Sequence, residues 1–378
     1  MSLELRQRSE GLGEASKSER LTDHFMKTLI PNVDPNYTVP AVSVIMPAYG
    51  VAQYIGQAID SVLAQTFTDY EILVVNDGSP DTRELERVLE PYREAIVYIK
   101  QENRGVSAAR NTAIRAALGR YLAFLDPDDL WEPEYLAVQV GALESNPTID
   151  AYYPNALLFG DTSTAGKTYM DTCPSTGEVT FESLITERCQ VPIFVTARTE
   201  IVKRVGMFDE SLRVSQDFDL WLRIVKHGGI IAYTRQVLVR RRRRPEGLSS
   251  NEVALYKDIL LILDKAARIF TLTPAERETL ERERLRYGAI LDLCQGKQAF
   301  LEGDAKTAID HLTAANDSLG SRRLALVLAA LRAAPRLLLR IHKARERLKS
   351  MGIREFDVHS ALLRTQHAEE TCETGNEL

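Results

Sequence analysis

Val42-Ser43-Val44-Ile45-Met46-Pro47 is a short, mostly apolar run rich in β-branched residues and closed by a proline. Glu71-Ile72-Leu73-Val74-Val75 repeats the pattern and ends in Asn76-Asp77-Gly78-Ser79. Ile96-Val97-Tyr98-Ile99 and Tyr121-Leu122-Ala123-Phe124-Leu125 follow. Continuous apolar runs of this length suit strands covered on both faces. Helical spacing fills the intervals at residues 54–64, 82–92 and 106–118. The alternation predicts an α/β domain with a largely parallel sheet, and right-handed crossovers then place helices over both faces.

On either side of this block the pattern changes. Residues 1–38 read as an N-terminal extension, with weak helical character at 19–29 and an extended lead-in marked by Pro31, Pro35 and Pro40. Downstream, 134–145, 199–205 and 218–227 are expected as helices and 230–233 and 237–239 as strands. Residues 160–177, rich in Ser, Thr, Gly and Asp, are expected as a loop of the kind that covers a substrate. Beyond Pro245 the chain is expected to be helical at 252–270, 274–298, 304–315 and 322–334. Thr273-Pro274 reads as a cap and first turn, and Glu302-Gly303-Asp304 as a stop and restart. The stretch 297–316 resembles a single tetratricopeptide hairpin, with Ala299, Gly303, Ala308 and Ala315 at its small positions and no second copy. The expected organisation is an extension at 1–38, an α/β domain at 39–250, a helical region at 251–350 and a disordered tail at 351–378.

Composition excludes several classes. Of 378 residues, 44 % are hydrophobic and 26 % charged, as in soluble globular proteins, which argues against wholesale disorder or a fibrous chain. Net charge is 47 − 53 = −6, so the whole protein is not a basic nucleic-acid binder and any anion recognition is local. Cys173, Cys189, Cys294 and Cys372 form no C-x-x-C pair, which fits free thiols in a reducing compartment. Residues 1–20 lack an apolar core of the secretory type, and 324–341 carries Arg332, Pro335, Arg336 and Arg340, which disfavours a spanning helix. The expected location is cytoplasmic.

Four segments at strand ends carry the candidate chemistry, where open α/β sheets bind ligands. Pro47-Ala48-Tyr49 offers a ring for a planar base, although a tyrosine there is also an ordinary surface residue. Asp77 before Gly78 is either a turn former or an acceptor for a base N–H or ribose hydroxyl. Asp126-Pro127-Asp128-Asp129 crowds three carboxylates into four positions. Mutual repulsion drives one towards protonation unless a divalent cation is bound; the plainer alternative is an acidic turn capping a helix near Trp131. Gln216-Asp217-Phe218-Asp219 opens a helix, as caps or as the seat of a general base.

Val42–Tyr49, Gln65-Thr66-Phe67, Asn76–Ser79, Asn103-Arg104-Gly105 with Ala109-Arg110-Asn111, Asp126–Asp129 and Gln216–Arg223 stand in the order and spacing of family 2 glycosyltransferases. The resemblance covers about Val39 to Ser250. It implies a GT-A fold, a Rossmann-like α/β sheet here followed by a C-terminal α-helical appendage, and inverting transfer from a nucleotide-diphosphate sugar. Carried over by position, Pro47, Tyr49, Asp77 and Arg110 lie by the nucleotide. Asp126 and Asp128 match the DxD pair: Asp128 for a Mn²⁺ or Mg²⁺ ion, Asp126 by the ribose or the metal. Asp217 matches the catalytic base. The family suggests a UDP-sugar donor, an acceptor that is a saccharide or lipid-linked, a part in bacterial-type polysaccharide or glycoconjugate synthesis, and no nucleic-acid partner.

Two departures stand out. Gln216 replaces the glutamate that usually precedes the base, removing a nearby charge. Arg240-Arg241-Arg242-Arg243-Arg244 stands where many relatives carry a Tyr-Arg-x-His segment, so Arg244 offers a fixed cation to diphosphate or acceptor but no metal ligand. That run could equally meet anionic lipid, giving peripheral contact at the inner membrane face. Competing classes fare worse. A haloacid-dehalogenase phosphatase would want Thr or Val at position 130, which is Leu, and a dinucleotide dehydrogenase would need G-x-G-x-x-G after the first strand. The serious alternative is a retired transferase fold serving as a nucleotide-sugar-binding scaffold.

Overall fold

The computed structural model describes residues 39–244 and 251–350, the last eight of these without their side chains. The extension at 1–38 with its weak helix, the segment 245–250 and the tail at 351–378 lie outside the described residues. The described chain forms two compact units. One comprises residues 39–158, 192–208 and 229–242, and the other 159–191, 209–228 and 243 onward. The helices beyond residue 250 therefore share a unit with 159–191 and 209–228.

The first unit is built on an eight-stranded sheet of order β3-β2-β1-β4-β7-β6-β8-β5. Its strands are β1 (Val42–Ala48), β2 (Tyr70–Asp77), β3 (Val97–Gln101), β4 (Tyr121–Phe124), β5 (Leu130–Trp131), β6 (Ile149–Gly160), β7 (Thr196–Arg198) and β8 (Ile230–Arg243). The helices α1 (Ala52–Leu63), α2 (Thr82–Leu89), α3 (Val106–Ala116) and α4 (Tyr135–Ser145) fall where the spacing puts them. β3, β2, β1 and β4 run parallel, and β1 and β4 are buried at every position, as the continuous apolar runs require. β3 differs: at the sheet edge, it leaves Val97 and Tyr98 exposed.

The expectation of a largely parallel sheet is corrected. β7 pairs antiparallel with β4 and β6, and β5 pairs antiparallel with β8. β6 went unseen because Pro154 interrupts its run, and β7 and β5 are too short to show a period. The two strands expected at 230–233 and 237–239 are one strand, β8, which continues through four of the five arginines. The acidic loop leads not into a helix cap at Trp131 but into β5.

A small polar knot fixes the turn before β4. Ser43 Oγ accepts the Gly119 N–H at 2.8 Å and donates to Glu71 Oε1 at 2.6 Å, which also takes the Leu118 N–H at 2.8 Å. A Cβ on Gly119 would fall 2.5 Å from the Ser43 nitrogen, so only glycine admits this approach.

In the second unit the segment 160–177 is not wholly loop, since it folds the short helix α5 (Tyr169–Thr172), and α6 (Phe181–Ile185) follows. Later come α8 (Gln216–Lys226), α9 (Glu252–Ile269), α10 (Pro274–Glu302), α11 (Ala305–Leu319), α12 (Arg322–Ala333) and α13 (Pro335–Ser350); α7 (Thr199–Arg204) belongs to the first unit. Thr273 caps α10 in a reciprocal box with Glu276, and Gly303 ends it at φ +91°, both as expected. α10 and α11 form a hairpin whose seam includes Ala299, Ala308 and Leu312, with Leu328 and Leu331 of α12 closing the cluster. Gly296 lies so close to Leu312 that a Cβ would come within 2.6 Å of its Cγ. Among the described residues no helix is long and apolar enough to cross a membrane.

Candidate active site

β2, β1 and β4 are adjacent parallel strands, and the strand order reverses between β1 and β4. The crevice at the carboxyl ends of such strands is the usual ligand position. Pro47 and Asp77 stand at the ends of β1 and β2, and Asp126 lies two residues past β4.

Asp77 is buried and its carboxylate already holds a turn. One oxygen accepts from Gln101 Nε2 at 2.7 Å and the Arg104 N–H at 2.9 Å, and the other from the Gly105 N–H at 2.8 Å. An ionised carboxylate has about four acceptor positions, so one is left for a base or ribose. Gly78 lets the two loops meet: at φ +61°, its added Cβ would fall 2.7 Å from the Asn103 nitrogen. Buried Asn76 takes the Ser79 N–H at 2.9 Å and donates to the Tyr98 hydroxyl at 2.8 Å. Ser79 Oγ in turn accepts the Gly50 N–H at 2.7 Å, so the loop carrying Tyr49 is fixed while the ring itself stays 52 % exposed, available for stacking.

Arg110, on α3, is 3 % exposed and donates to Asp126 Oδ1 at 2.6 Å. Its guanidinium lies 5.4 Å from the centre of the Phe208 ring, and that ring packs edge-on against Phe124. Asn111, the next residue, exchanges both amide hydrogen bonds with the Phe208 backbone at 2.9 Å. The Arg-Asn pair thus works as a unit: Asn111 fixes Phe208, and Phe208 supports the arginine that faces Asp126. Spacing alone gave no sign of Phe208.

The carboxylate loop is clamped from two sides. Gln65 Nε2 donates to the Glu132 carbonyl at 2.8 Å, Gln65 Oε1 accepts the Leu136 N–H at 2.9 Å, and the Thr66 N–H reaches the Pro133 carbonyl at 2.9 Å. From β8, the Arg242 N–H donates to Asp129 Oδ1 at 2.7 Å, and its Nε to the Asp128 carbonyl at 3.0 Å. Its guanidinium also reaches Gln57 at 3.0 Å and lies 4.8 Å over the Tyr54 ring. Arg242 is therefore a brace, identifiable only once β8 is known to run beside β5.

Asp129 is buried, and its pKa is pushed well above the ordinary carboxylate value. Burial is the main cause, with repulsion from Asp128 and Asp126 adding to it and Arg241 and the Arg242 N–H opposing. Burial disfavours the ionised form, and the like charges crowded around it act in the same direction. Among the described residues no group of three or more His, Cys, Asp or Glu side chains is placed to hold a metal. With Asp126 facing Arg110 and Asp129 buried, Asp128 is the carboxylate best suited to a cation. Such a fit is that of an ion shared with a diphosphate, not one caged by protein.

Gln216, Asp217 and Arg244 belong to the second unit, and Arg244 follows directly on β8. The helix expected from Phe218 starts instead at Gln216, with Ser215 as its cap, so Asp217 lies inside the first turn with Asp219 rather than at its mouth. Two carboxylates favour the positive end of the helix dipole, which accounts for the earlier start. Their surroundings differ. Asp219 is buried and held by Arg223 at 2.7 Å and by Lys265 of α9 at 2.7 Å. Asp217 is only half-buried, and its Oδ1 accepts the Phe218 N–H at 2.9 Å. α9 also secures the approach to this turn. Asp258 accepts the N–H groups of Arg213 at 3.0 Å and Val214 at 2.8 Å, and Lys265 binds Asp209 at 2.6 Å. Nothing in the sequence marks Asp258 or Lys265 for these tasks.

The sequence profile described as glycosyl transferase family 2 matches residues 43–210. An uncharacterised glycosyltransferase of Rickettsia bellii is 32 % identical over 219 residues, 55 % of this chain and 30 % of that protein. The chain thus spans under a third of that relative's length. The Escherichia coli UDP-Glc:alpha-D-GlcNAc-diphosphoundecaprenol beta-1,3-glucosyltransferase WfgD is 30 % identical over 238 residues, covering 61 % of this chain and 90 % of WfgD. Among solved structures, Staphylococcus aureus TarS 1–349 in complex with UDP-GlcNAc aligns with a TM-score of 0.55 at 20 % identity, over 82 % of this chain and 92 % of that one. The Pyrobaculum calidifontis mannosyltransferase PcManGT, solved with GDP-Man and Mn²⁺, aligns with a TM-score of 0.53 at 23 % identity, over 81 % and 84 %.

Proposed function

The chain belongs to glycosyl transferase family 2 and carries its GT-A fold, and from that premise we propose that it is an inverting, metal-dependent transferase using a UDP-sugar. The observation that carries this reading is the acidic loop at the strand-order reversal, where Arg110 engages Asp126 and burial, with repulsion from Asp128 and Asp126, pushes up the pKa of Asp129. A uridine donor is favoured by the names of WfgD and of the TarS complex, and a lipid-linked acceptor by WfgD alone. The product would enter a surface polysaccharide or glycoconjugate, made at the cytoplasmic face of the membrane.

Tyr49 stacks on the base and the remaining acceptor position of Asp77 takes its N–H. Asp128, with Asp126 beside it, holds Mn²⁺ or Mg²⁺, which when bound supplies positive charge to the leaving diphosphate. Asp217 removes the proton from the acceptor hydroxyl as its oxygen attacks the anomeric carbon. The bond from that carbon to the diphosphate oxygen breaks with its electron pair leaving on the diphosphate, and configuration inverts. Arg244, with its planar guanidinium, suits the charge that develops on the diphosphate.

The test is calorimetry of UDP with Mn²⁺ and after chelation, in the native chain and in Asp128→Ala, beside hydrolysis of UDP-sugars. Metal-dependent binding that Asp128→Ala abolishes, with donor turnover, is expected. Metal-independent binding would overturn the metal assignment, and binding without any turnover, acceptors included, would favour a retired scaffold.

A further inference from the structure

We propose that α12 and α13 form a docking face for an anionic lipid surface. The two helices are two-sided. Leu328 and Leu331 of α12 are buried in the cluster with Ala299, Ala308 and Leu312, so that helix already has its core contacts. The same helix leaves Leu326 and Val327 exposed at 72 % and 51 %. On α13, Leu337 and Ile341 are exposed at 57 % and 47 %, one helical turn apart. A single exposed leucine means little, but four large apolar side chains stand exposed on two consecutive helices.

The charge of this stretch of chain has one sign. Residues 318–342 contain no Asp or Glu and include Arg322, Arg323, Arg332, Arg336 and Arg340. Since the chain totals −6, the remainder carries −6 − 5 = −11, so these arginines stand against the trend of the molecule. Arg332 is held in part by Thr313 Oγ1 at 3.0 Å, while Arg322, Arg323, Arg336 and Arg340 are exposed. Arg336 and Arg340 repeat at the same four-residue interval as Leu337 and Ile341 and form the neighbouring row. Apolar side chains rimmed by guanidiniums suit the boundary of an acidic bilayer, where the stems lie along the acyl chains and the heads meet phosphate. Among the described residues no helix is long and apolar enough to cross a membrane, and the face proposed is one for a membrane surface. Each arginine near such a surface improves partitioning roughly fivefold. The face is independent of the transferase reading, because it uses none of the site residues.

The experiment is flotation of the full chain, without donor or acceptor, with vesicles of phosphatidylcholine and of phosphatidylcholine mixed with phosphatidylglycerol, at low and high salt. The variants are Arg336→Ala/Arg340→Ala and Leu337→Ser/Ile341→Ser, each checked by circular dichroism and sedimentation. The native chain should float with the mixed vesicles and lose this with salt. The arginine pair should weaken binding by roughly 25-fold, two fivefold steps, and the apolar pair should weaken it as well. Equal flotation with neutral vesicles, or undiminished binding by both folded variants, would overturn the proposal; the latter would shift attention to residues 240–244. Self-association that these variants abolish, without lipid binding, would make the face a contact between copies and equally defeat it.

Discussion

Two acidic clusters, Asp126–Asp129 in the first unit and Asp217–Asp219 in the second, look alike in sequence yet are supported in opposite ways. In the first, the buried member, Asp129, is met by a backbone N–H and by its own acidic neighbours, and burial and repulsion push its pKa up against the opposing charge of Arg241. In the second, the buried member, Asp219, is enclosed by two cations from α8 and α9. One cluster sets three carboxylates beside one another, with Arg110 engaging Asp126. The other has neutralised its inner carboxylate, while the outer one, Asp217, is half-buried and accepts the Phe218 N–H. Acidic spacing alone therefore does not say whether a carboxylate serves binding, catalysis or stability; its cationic partners do.

The largest effect expected from this contrast is on turnover. Asp217→Asn should reduce transfer about 10²–10⁴-fold while UDP affinity, measured by calorimetry, stays close to native. An equal fall in both, or normal turnover, would move the base elsewhere. The neighbouring change should do the reverse. Asp219→Asn leaves Arg223 and Lys265 facing a neutral amide in a buried site, and removing one partner of such a network costs about 3–5 kcal/mol. Urea unfolding should show that loss, and near-native stability in this variant would erase the distinction between the two carboxylates.

A smaller effect sharpens the comparison through pH. Burial alone would raise the pKa of Asp209, but hydrogen bonds from Lys265 and Ser211 outweigh it and bring it from 3.8 to about 2. A carboxylate depressed in the folded state contributes stability above its ordinary pKa, and that contribution disappears as pH falls from about 4 through about 2. Chemical denaturation at stepped pH should reveal this acid sensitivity, and Lys265→Met should flatten it. An unchanged profile in the variant would mean that Lys265 does not hold Asp209 in solution.

The sequence was read well where the signal is local. The runs of β1, β2 and β4, the three helices between β1 and β4 and the Thr273 cap are near-neighbour patterns, and each element formed close to its expected place. β6 escaped because Pro154 breaks its run, and β8 was split because Thr234, Arg235 and Gln236 interrupt its apolar pattern. The site divides in the same way. Asp77, Asp126 and Asp128 stood out by their places at strand ends, whereas Phe208, Arg242, Asp258 and Lys265 did not.

By itself the sequence determined the parallel α/β half, the acidic loop beyond β4 and the helical character of the region after residue 250, since periodicity, turn chemistry and caps act over a few residues. Tertiary structure decided what depends on distant partners: the antiparallel half of the sheet, the conversion of Arg242 from a candidate anion contact into a brace for Asp128 and Asp129, and the neutralisation of Asp219 by Lys265, 46 positions away. Strand register and charge pairing are set by which surfaces meet after the chain has folded, and electrostatic energy depends on distance in space and on burial, neither of which is written in the order of residues.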